Sequence, residues 1–201
     1  MRFANPDEKA NFATLERVRG VVARHGGRDL RVARNEEENE QLWAARKNQY
    51  WSQQLLVGDD CRTLITDVCV PISRLAEFVD RSETLVVASG LVAPIVAHIG
   101  DGNVHRAILW KGTPGETEPP ETVARLAKQL VELAQELEGT CAGEHGVGVT
   151  KRKYLRAELG EGTLGLLRTV KRALDPYNLL NPGKVLLDEE EGAGGARSTE
   201  P

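Results

Sequence analysis

The sequence predicts an α+β fold in which helices flank an antiparallel sheet. Segments with the apolar period of a helix alternate along the chain with short segments rich in β-forming residues. Two of those β-rich segments flank "GDGN" at 100–103, a turn signal typical of hairpins, and a hairpin joins antiparallel strands. With 201 residues, 40% hydrophobic and 28% charged, the chain suits one substantial globular domain or one and a half small ones. We place a single domain at residues 1–187.

Helical periodicity and capping residues define the predicted helices. These helices cover 7–24, 36–54, 74–89, 122–139 and about 161–174. Asn35 is expected to cap the second helix, because Glu38 follows three residues later as in a capping box. Ser73 is expected to cap the third helix, and Gly90 is expected to end it.

The predicted strands are the short segments rich in β-branched residues. They cover 29–34, 63–70, 94–100 and 103–110. The first of them, "DLRVAR", alternates apolar and polar residues as a half-buried strand does. The acidic tail "DEEEGAGGARSTEP" at 188–201 has almost no residues that can build a core, so it is predicted to be disordered.

Composition excludes several classes of protein. The net charge is −4, and no basic stripe with interleaved aromatic residues is present, which argues against nucleic-acid binding. No run of about 18 apolar residues predicts a membrane span. The 3 cysteines have no CxxC spacing, which favours a reducing compartment over a disulfide framework.

The stretch "HIGDGNVH" places a histidine at each end of the predicted hairpin turn. Asp101-Gly102 is a preferred pair for a two-residue type I′ loop, and that loop would put His98 directly opposite His105. Directly opposed side chains share a face, with Cβ atoms about 4.5–5.5 Å apart, so the two imidazoles are placed to bind one cation. Asn103 is expected to stabilise the turn, because asparagine tolerates a positive φ. The alternative is two strand residues with no ligand role.

A glycine-rich segment, "GEHGVG" at 143–148, supplies a candidate third ligand. Glycine permits backbone approaches that other residues do not, so Glu144 can be brought against a cation. Two histidines and one carboxylate, here His98, His105 and Glu144, form a ligand set with open positions for a substrate. His145 remains available for proton transfer. The alternative is a flexible loop whose polar residues only face water.

Three motifs, at 98–105, 143–146 and 175–186 ("DPYNLLNPGKVL"), together resemble the C-terminal part of FAD-linked oxidases of the vanillyl-alcohol-oxidase superfamily. The likeness is closest to the D-lactate dehydrogenase (cytochrome) branch, which "LWAARKNQYW" (42–51) and "TDVCVPISRL" (66–75) also resemble. The resemblance covers nearly the whole chain and implies a ferredoxin-like cap domain. It also leads us to expect that the FAD-binding domain of this family is carried outside the chain.

The resemblance implies a divalent metal, zinc or manganese, held by His98, His105 and Glu144, with His145 as the general base. It implies that a 2-hydroxy acid gives a hydride to FAD, while the metal eases loss of the hydroxyl proton. It further implies that Arg46 holds the substrate carboxylate, because a guanidinium offers a planar pair of donors.

Other positions are marked by the same resemblance, each with a structural alternative. Tyr50, one helical turn after Arg46, is marked as a second substrate contact, and the alternative is a packed aromatic. Asn181 and Lys184 are marked as cofactor contacts, and the alternative is a turn with a solvated lysine. The basic run at 151–153 is expected to be a solvated helix start.

The resulting prediction is the substrate- and metal-binding portion of an FAD-dependent D-2-hydroxy-acid dehydrogenase. It would oxidise D-lactate to pyruvate and pass electrons to cytochrome c or another acceptor. The resemblance implies that relatives specific for 2-hydroxyglutarate carry extra polar groups for the second carboxylate. Here no lysine occurs in "TLIT" before Asp67, and Arg106 should point away from His105, so the comparison favours a small acid.

Two other functions and two locations stay open. The chain is alternatively a non-catalytic fragment or a binding subunit that docks onto a separate flavoprotein chain. An unrelated metallohydrolase is a further alternative. The resemblance implies a mitochondrial location for a eukaryotic source and a cytoplasmic one otherwise.

Overall fold

A computed structural model describes residues 6–186, so the predicted tail at 188–201 lies outside the described residues. The chain divides into two compact units, one ending at Tyr50 and the other beginning at Trp51.

The helices are α1 (Glu8–Arg24), α2 (Glu36–Lys47), α3 (Gln49–Gln54), α4 (Leu75–Ser89), α5 (Glu121–Glu136) and α6 (Leu155–Leu174). The strands are β1 (Cys61–Ile65), β2 (Val68–Cys69), β3 (Ile95–His98) and β4 (Asn103–Lys111). This combination of helices with an antiparallel sheet confirms the predicted class. Within the described range, no helix is both long and apolar enough to cross a membrane.

Side-chain caps start the two longer helices of the first unit. Asp7 caps α1, and its Oδ1 accepts from the backbone N–H of Lys9 at 2.9 Å. The predicted cap at Asn35 is confirmed, because its Oδ1 accepts from the N–H of Glu38 at 2.8 Å. The Glu38 carboxylate reaches back to the N–H of Arg34 at 2.8 Å. The bonds to Lys9 and Glu38 pair amide groups that the first turn of a helix leaves without partners.

Two predictions near the N-terminus are wrong. Residues 29–34 form no strand in the described structure. Asp29 has a left-handed φ of 55°, and the apolar side chains that follow it are exposed, so the alternating pattern covers no surface. The single helix predicted over 36–54 is divided at Asn48, which ends α2 before α3 begins at Gln49.

Strand β4 is the centre of the sheet in the second unit. β1 and β2 pair antiparallel with one of its edges, and β3 pairs antiparallel with the other. The pairs Ile65–Ala107 and Val68–Val104 belong to one register, so β1 and β2 form a single strand line broken only at 66–67. The strand predicted for this segment is therefore confirmed, apart from the short gap.

The two faces of β4 have different surroundings. Val104 and Ile108 are fully buried among apolar residues of α4 and α5. Arg106 points to the same face and donates from Nη2 to the Ser82 hydroxyl of α4 at 2.9 Å. His105 points to the opposite face, because side chains alternate along a strand. The prediction that Arg106 points away from His105 is confirmed.

The ends of α4 and α6 differ in part from the prediction. A 3-10 turn at Ile72–Arg74 leads into α4, and Ser73 does not cap it. Gly90 ends α4 with a left-handed φ of 69°, as predicted. α6 begins earlier than predicted and bends at Gly160, whose φ of 74° and ψ of 164° are not helical. The predicted start near residue 161 corresponds to the part of α6 after this bend.

The hairpin between β3 and β4 has a longer loop than predicted. His98 pairs with Asn103, so residues 99–102 form a loop of 4 residues, closed by a bond from Asp101 N–H to the His98 carbonyl at 2.9 Å. The predicted direct opposition of His98 and His105 is wrong, and the two are diagonal neighbours. A shift of two residues preserves the face of a strand residue, because side chains alternate with a period of two. Both imidazoles therefore still share one face.

Gly102 fixes this loop against β2. Its φ is 75°, and its carbonyl accepts from the N–H of Val70 at 3.0 Å. A Cβ added at this position would overlap the carbonyl oxygen of Val70. Type I′ geometry requires positive φ at both central residues, and Asp101 does not adopt it, which explains why the shorter loop does not form.

Replacing Gly102 with alanine is expected to destabilise the chain by at least about 1–3 kcal/mol, the usual cost of a strained backbone conformation. The Val70 carbonyl must also move. Denaturant unfolding followed by circular dichroism measures this change. Gly100→Ala is the matched control, because a Cβ there meets nothing within 4 Å, and its effect should stay below about 1 kcal/mol. Equal effects of the two substitutions would contradict the described contact.

Candidate metal centre

The three predicted ligands converge on the face of the sheet that points away from α4 and α5. His98 ends β3, His105 lies within β4, and Glu144 belongs to residues 140–148 after α5, which we call the ligand loop. Glu144 Oε1 lies 2.8 Å from His105 Nε2 and 3.5 Å from His98 Nε2. One ligand atom from each of these residues lies within 4.8 Å of the others. The three side chains are therefore placed to bind one cation.

Exposure increases from the base of this cluster to its rim. The His105 side chain is 11% exposed, whereas those of His98 and Glu144 are 40% and 46% exposed. His145, the next residue after Glu144, is 66% exposed, and its Nε2 lies 3.4 Å from Glu144 Oε1. The ring centroids of His105 and His145 are 5.6 Å apart. A cation held by the first three side chains would have an open side, with His145 next to it.

Backbone hydrogen bonding orients the His105 ring. Its Nδ1 lies 3.0 Å from the carbonyl oxygen of Thr66, which can only accept, so Nδ1 carries the proton. Nε2 of the neutral ring then presents a lone pair to the Glu144 carboxylate, 2.8 Å away. Two acceptors at this distance repel each other unless a cation or a proton lies between them. The arrangement fits a metal site, in which a carbonyl commonly orients the liganding histidine.

Asp67 lies beneath the cluster of His98, His105 and Glu144. The sequence motifs did not mark this residue as part of a site. It occupies the gap between β1 and β2, where the shared register places it opposite His105. Opposed residues point to the same face, and Asp67 Oδ1 lies 3.9 Å from His105 Nδ1. The Asp67 side chain is only 3% exposed. The available signal was a charged residue inside an otherwise apolar strand pattern, "TLITDVCV".

Four donors surround the Asp67 carboxylate. Oδ1 accepts from Nδ2 of Asn103 at 2.9 Å and from the N–H of Glu144 at 3.1 Å. Oδ2 accepts from the N–H of His145 at 3.0 Å and from Nζ of Lys151 at 2.9 Å. Burial alone would raise the pKa of Asp67, but these hydrogen bonds, above all that from Lys151, hold the pKa well below its usual range. The carboxylate is therefore ionised at neutral pH.

Two groups of side chains in the described chain have the composition of a metal site. One is His98, His105 and Glu144, and the other is Asp67, His105 and His145. In the second group, both oxygens of Asp67 are already bonded to donors. In the first group, Oε1 of Glu144 faces imidazole nitrogens. The first group is therefore the better ligand set, although its role as metal ligands stays a prediction.

Two partners of Asp67 differ from what the sequence suggested. Asn103 does not stabilise the turn through a positive φ, because it is a buried residue of β4 whose amide binds Asp67. The basic run 151–153 is not a solvated helix start as a whole. Lys151 binds the Asp67 carboxylate, and Arg152 Nη1 donates to the Gly183 carbonyl at 2.8 Å.

Glu158 of α6 holds the start of the ligand loop. Its Oε2 accepts from the N–H of Cys141 at 2.9 Å and from Nε2 of Gln135 at 3.1 Å. Burial would raise the pKa of Glu158, but hydrogen bonds from Thr140, Cys141 and Gln135 lower it. Burial, reinforced by Glu158, raises the pKa of the Cys141 thiol to about 12, so this thiol stays protonated.

The two residues predicted to contact the substrate lie in the first unit. Arg46 is in the last turn of α2, and Tyr50 is in α3. Both residues are exposed, which argues against the packed aromatic that was the alternative for Tyr50. For Arg46, exposure also fits an ordinary arginine on a helix surface. Their roles stay predictions.

The residues predicted to contact the cofactor form a turn beside the ligand loop. Lys184 N–H donates to the Asn181 carbonyl at 3.2 Å, and both residues are exposed. The N–H of Val185 donates to the carbonyl of Gly148, at the end of the ligand loop, at 2.8 Å. The structure thus brings this turn next to the end of the ligand loop, and a role in cofactor binding stays a prediction.

Comparison with known proteins supports the resemblance seen in the motifs. Residues 1–185 match the family described as FAD linked oxidases, C-terminal domain. The chain is 39% identical over 169 residues to D-lactate dehydrogenase (cytochrome), mitochondrial, of Arabidopsis thaliana. The aligned segment covers 84% of this chain and 29% of that protein. It is 38% identical to D-lactate dehydrogenase (cytochrome) 1, mitochondrial, of Saccharomyces cerevisiae, over 86% of this chain and 29% of that protein. It is 34% identical to a glycolate oxidase subunit of Escherichia coli, over 84% of this chain and 33% of that protein. The chain spans about a third of the length of these relatives.

Replacing His105 with alanine is expected to weaken Zn²⁺ binding by more than about 100-fold. Loss of a group that only orients a ligand typically costs about 10- to 100-fold in affinity, and loss of a ligand should cost more. Circular dichroism should change little, because backbone pairing and Gly102 set the hairpin. Isothermal titration of the 201-residue chain with Zn²⁺ measures the affinity. His25→Ala, at the C-terminal end of α1, is the matched control and should bind like the wild type. Unchanged Zn²⁺ affinity in the His105 variant would refute the ligand assignment.

Replacing Glu158 with glutamine is expected to reduce the loss of stability in acid. Folding lowers the pKa of Glu158 from 4.5. The ionised carboxylate therefore stabilises the fold above pH 4.5. This contribution to stability is lost as the pH falls through the lower pKa of the folded state. Thermal unfolding between about pH 3 and pH 7 should show a difference in Tm between the two proteins that shrinks on acidification. Glu161→Gln, at an exposed position of the same helix, is the control. A difference in Tm that is constant over this range would contradict the prediction.

Proposed function

Since this chain belongs to the family of FAD-linked oxidase C-terminal domains, we propose that it is the substrate- and metal-binding portion of an FAD-dependent D-2-hydroxy-acid dehydrogenase. The observation that carries the proposal is the convergence of His98, His105 and Glu144, with His145 at the open side of the cluster. The relatives named for D-lactate and glycolate support the substrate class, because both compounds are 2-hydroxy acids.

The ligand set and the cofactor define the chemistry of the proposed reaction. Nε2 of His98, Nε2 of His105 and Oε1 of Glu144 are proposed to hold zinc or manganese. A bound metal would supply polarisation of the substrate hydroxyl, and bound FAD would supply the hydride acceptor.

His145 is proposed to take the proton that the reaction releases. Oxidation of a 2-hydroxy acid to a 2-oxo acid gives up one hydride and one hydroxyl proton. A neutral imidazole nitrogen of His145 accepts that proton, and histidine is the side chain most often used for such a transfer. Its backbone N–H bond to Asp67 fixes the start of the side chain at the rim of the cluster.

D-lactate, oxidised to pyruvate, is the proposed substrate. Arg46 is proposed to bind its carboxylate and Tyr50 to contact it as well. A preference for a small acid is supported by Arg106, whose guanidinium is held on the other face of β4 by Ser82 and by the Ala93 carbonyl, at 2.9 Å each. Arg106 therefore cannot serve a second substrate carboxylate beside His105.

The remaining parts of the proposed enzyme lie outside this chain. Because the chain spans about a third of its relatives, we propose that a separate FAD-binding domain or subunit holds most of the flavin. Asn181 and Lys184 are proposed to complete those contacts. Cytochrome c or another acceptor would receive the electrons, as the relatives' names suggest, and their mitochondrial names support that location for a eukaryotic source.

Binding of D-lactate to the Zn²⁺-loaded chain tests the proposal. Isothermal titration should show binding to the wild type that disappears on removal of Zn²⁺ and in the His105→Ala variant. L-lactate and D-2-hydroxyglutarate should bind more weakly than D-lactate. Equal D-lactate binding with and without metal would refute the proposed site.

A dye-linked assay on the same samples separates the catalytic and non-catalytic forms of the proposal. The chain is supplied with FAD, Zn²⁺ or Mn²⁺, D-lactate and a dye acceptor. Turnover, together with a yellow flavin spectrum, would show that the chain itself supplies a flavin site. D-lactate binding without turnover would favour a binding portion that acts beside a separate flavoprotein chain.

A further inference from the structure

A largely buried charge pair lies beneath the candidate metal ligands and has no part in the proposed reaction. Nζ of Lys151 lies 2.9 Å from Oδ2 of Asp67, and it also donates to the Asp67 backbone carbonyl at 3.1 Å. Removing two charges from water costs free energy, and their mutual attraction often does no more than offset this cost. A buried charge pair is therefore weak evidence that its role is to stabilise the fold. The contacts of the Asp67 carboxylate indicate a more specific role.

Asp67 accepts hydrogen bonds from three consecutive amides of the ligand loop. Its backbone carbonyl accepts from the N–H of Gly143 at 3.2 Å. Its carboxylate accepts from the N–H of Glu144 at 3.1 Å and from the N–H of His145 at 3.0 Å. A Cβ added at Gly143 would overlap the Asn103 amide, so the loop has no room to move closer. One residue of the strand line thus holds the middle of the ligand loop, residues 143–145.

The same two-residue gap in the strand line also orients His105. The carbonyl of Thr66 accepts from Nδ1 of His105 at 3.0 Å, and the next residue, Asp67, binds the backbone of Glu144 and His145. The relative placement of a ligand on β4 and a ligand on the loop is therefore set by adjacent residues of one segment.

We propose that Asp67, with its charge balanced by Lys151, is a positioning residue that holds Glu144 and His145 against His105. The inference rests on the proposed function for the roles of those three residues. The geometry requires a carboxylate, because both of its oxygens accept. An asparagine would turn an N–H₂ group toward backbone N–H donors and lose at least one bond.

Asp67→Asn tests this role, and Asp175→Asn is a closely matched control. Asp175 also pairs with a lysine, Lys171, and accepts from two consecutive amides, those of Leu179 and Leu180, at 2.8 Å each. Zn²⁺ affinity of the full chain should fall about 10- to 100-fold in the Asp67 variant, the range typical of groups that orient metal ligands. It should be unchanged in the Asp175 variant. The visible spectrum of the Co²⁺-loaded chain should also change in the Asp67 variant alone, because that spectrum reports ligand geometry.

Amide hydrogen exchange of the metal-free wild type gives a second test that needs no variant. The amides of Gly143, Glu144 and His145 should be protected although these residues are exposed. Unprotected exchange at these amides would overturn the inference, as would an Asp67 variant that keeps its Zn²⁺ affinity and Co²⁺ spectrum. Equal losses of affinity in the Asp67 and Asp175 variants would also overturn it, because they would indicate general destabilisation. If the wild type binds no Zn²⁺, the proposed metal centre fails, and amide protection still decides whether Asp67 holds the loop.

Discussion

The hydrogen bonds of one buried carboxylate, Asp67, join the parts of the second unit that form the candidate site. They tie the strand line of β1 and β2 to the ligand loop and to Lys151. Without them, the start of the loop would still be held by the Cys69–Thr140 bridge and by Glu158 at Cys141, and its end by Val185 at Gly148. The amides of Glu144 and His145 would lose their partners. Loss of any of the four donors would leave the buried charge of Asp67 with fewer hydrogen bonds, which costs free energy. The position of the ligand loop and the stability of the fold are therefore linked at this residue.

Local patterns in the sequence were sufficient for most helices and for the placement of His98 and His105 on one face of the sheet. The cap at Asn35 and the stop at Gly90 depend on short-range bonds and on backbone freedom, which a few neighbouring residues determine. The predicted hairpin register was wrong by two residues, because Asp101 does not adopt the positive φ that a type I′ loop requires. The loop that forms instead is bonded to Val70, which is distant in sequence. The face shared by the histidines was nevertheless correct, since an even shift preserves alternation.

The parts that sequence patterns missed depend on long-range contacts. Asp67 reads as an isolated charge in an apolar strand, and its partner Lys151 lies 84 positions later. Lys151 in turn reads as one residue of a basic run, and solvation is the usual state of such runs. At residues 29–34 the sequence pattern predicted a strand that does not form. An alternating pattern gives a strand only where another segment offers edge hydrogen bonds and a surface to cover.

The pairing of Asp67 with Lys151 has a consequence for the charge of the candidate site. Since these two charges cancel, Glu144 is the one formally charged group among the proposed ligands. A divalent cation on that ligand set leaves a single net positive charge facing the open side. That charge would attract the carboxylate of a 2-hydroxy acid toward the open side before any hydrogen bond to it forms. Attraction of this kind is screened by salt, so substrate binding would weaken as the ionic strength rises.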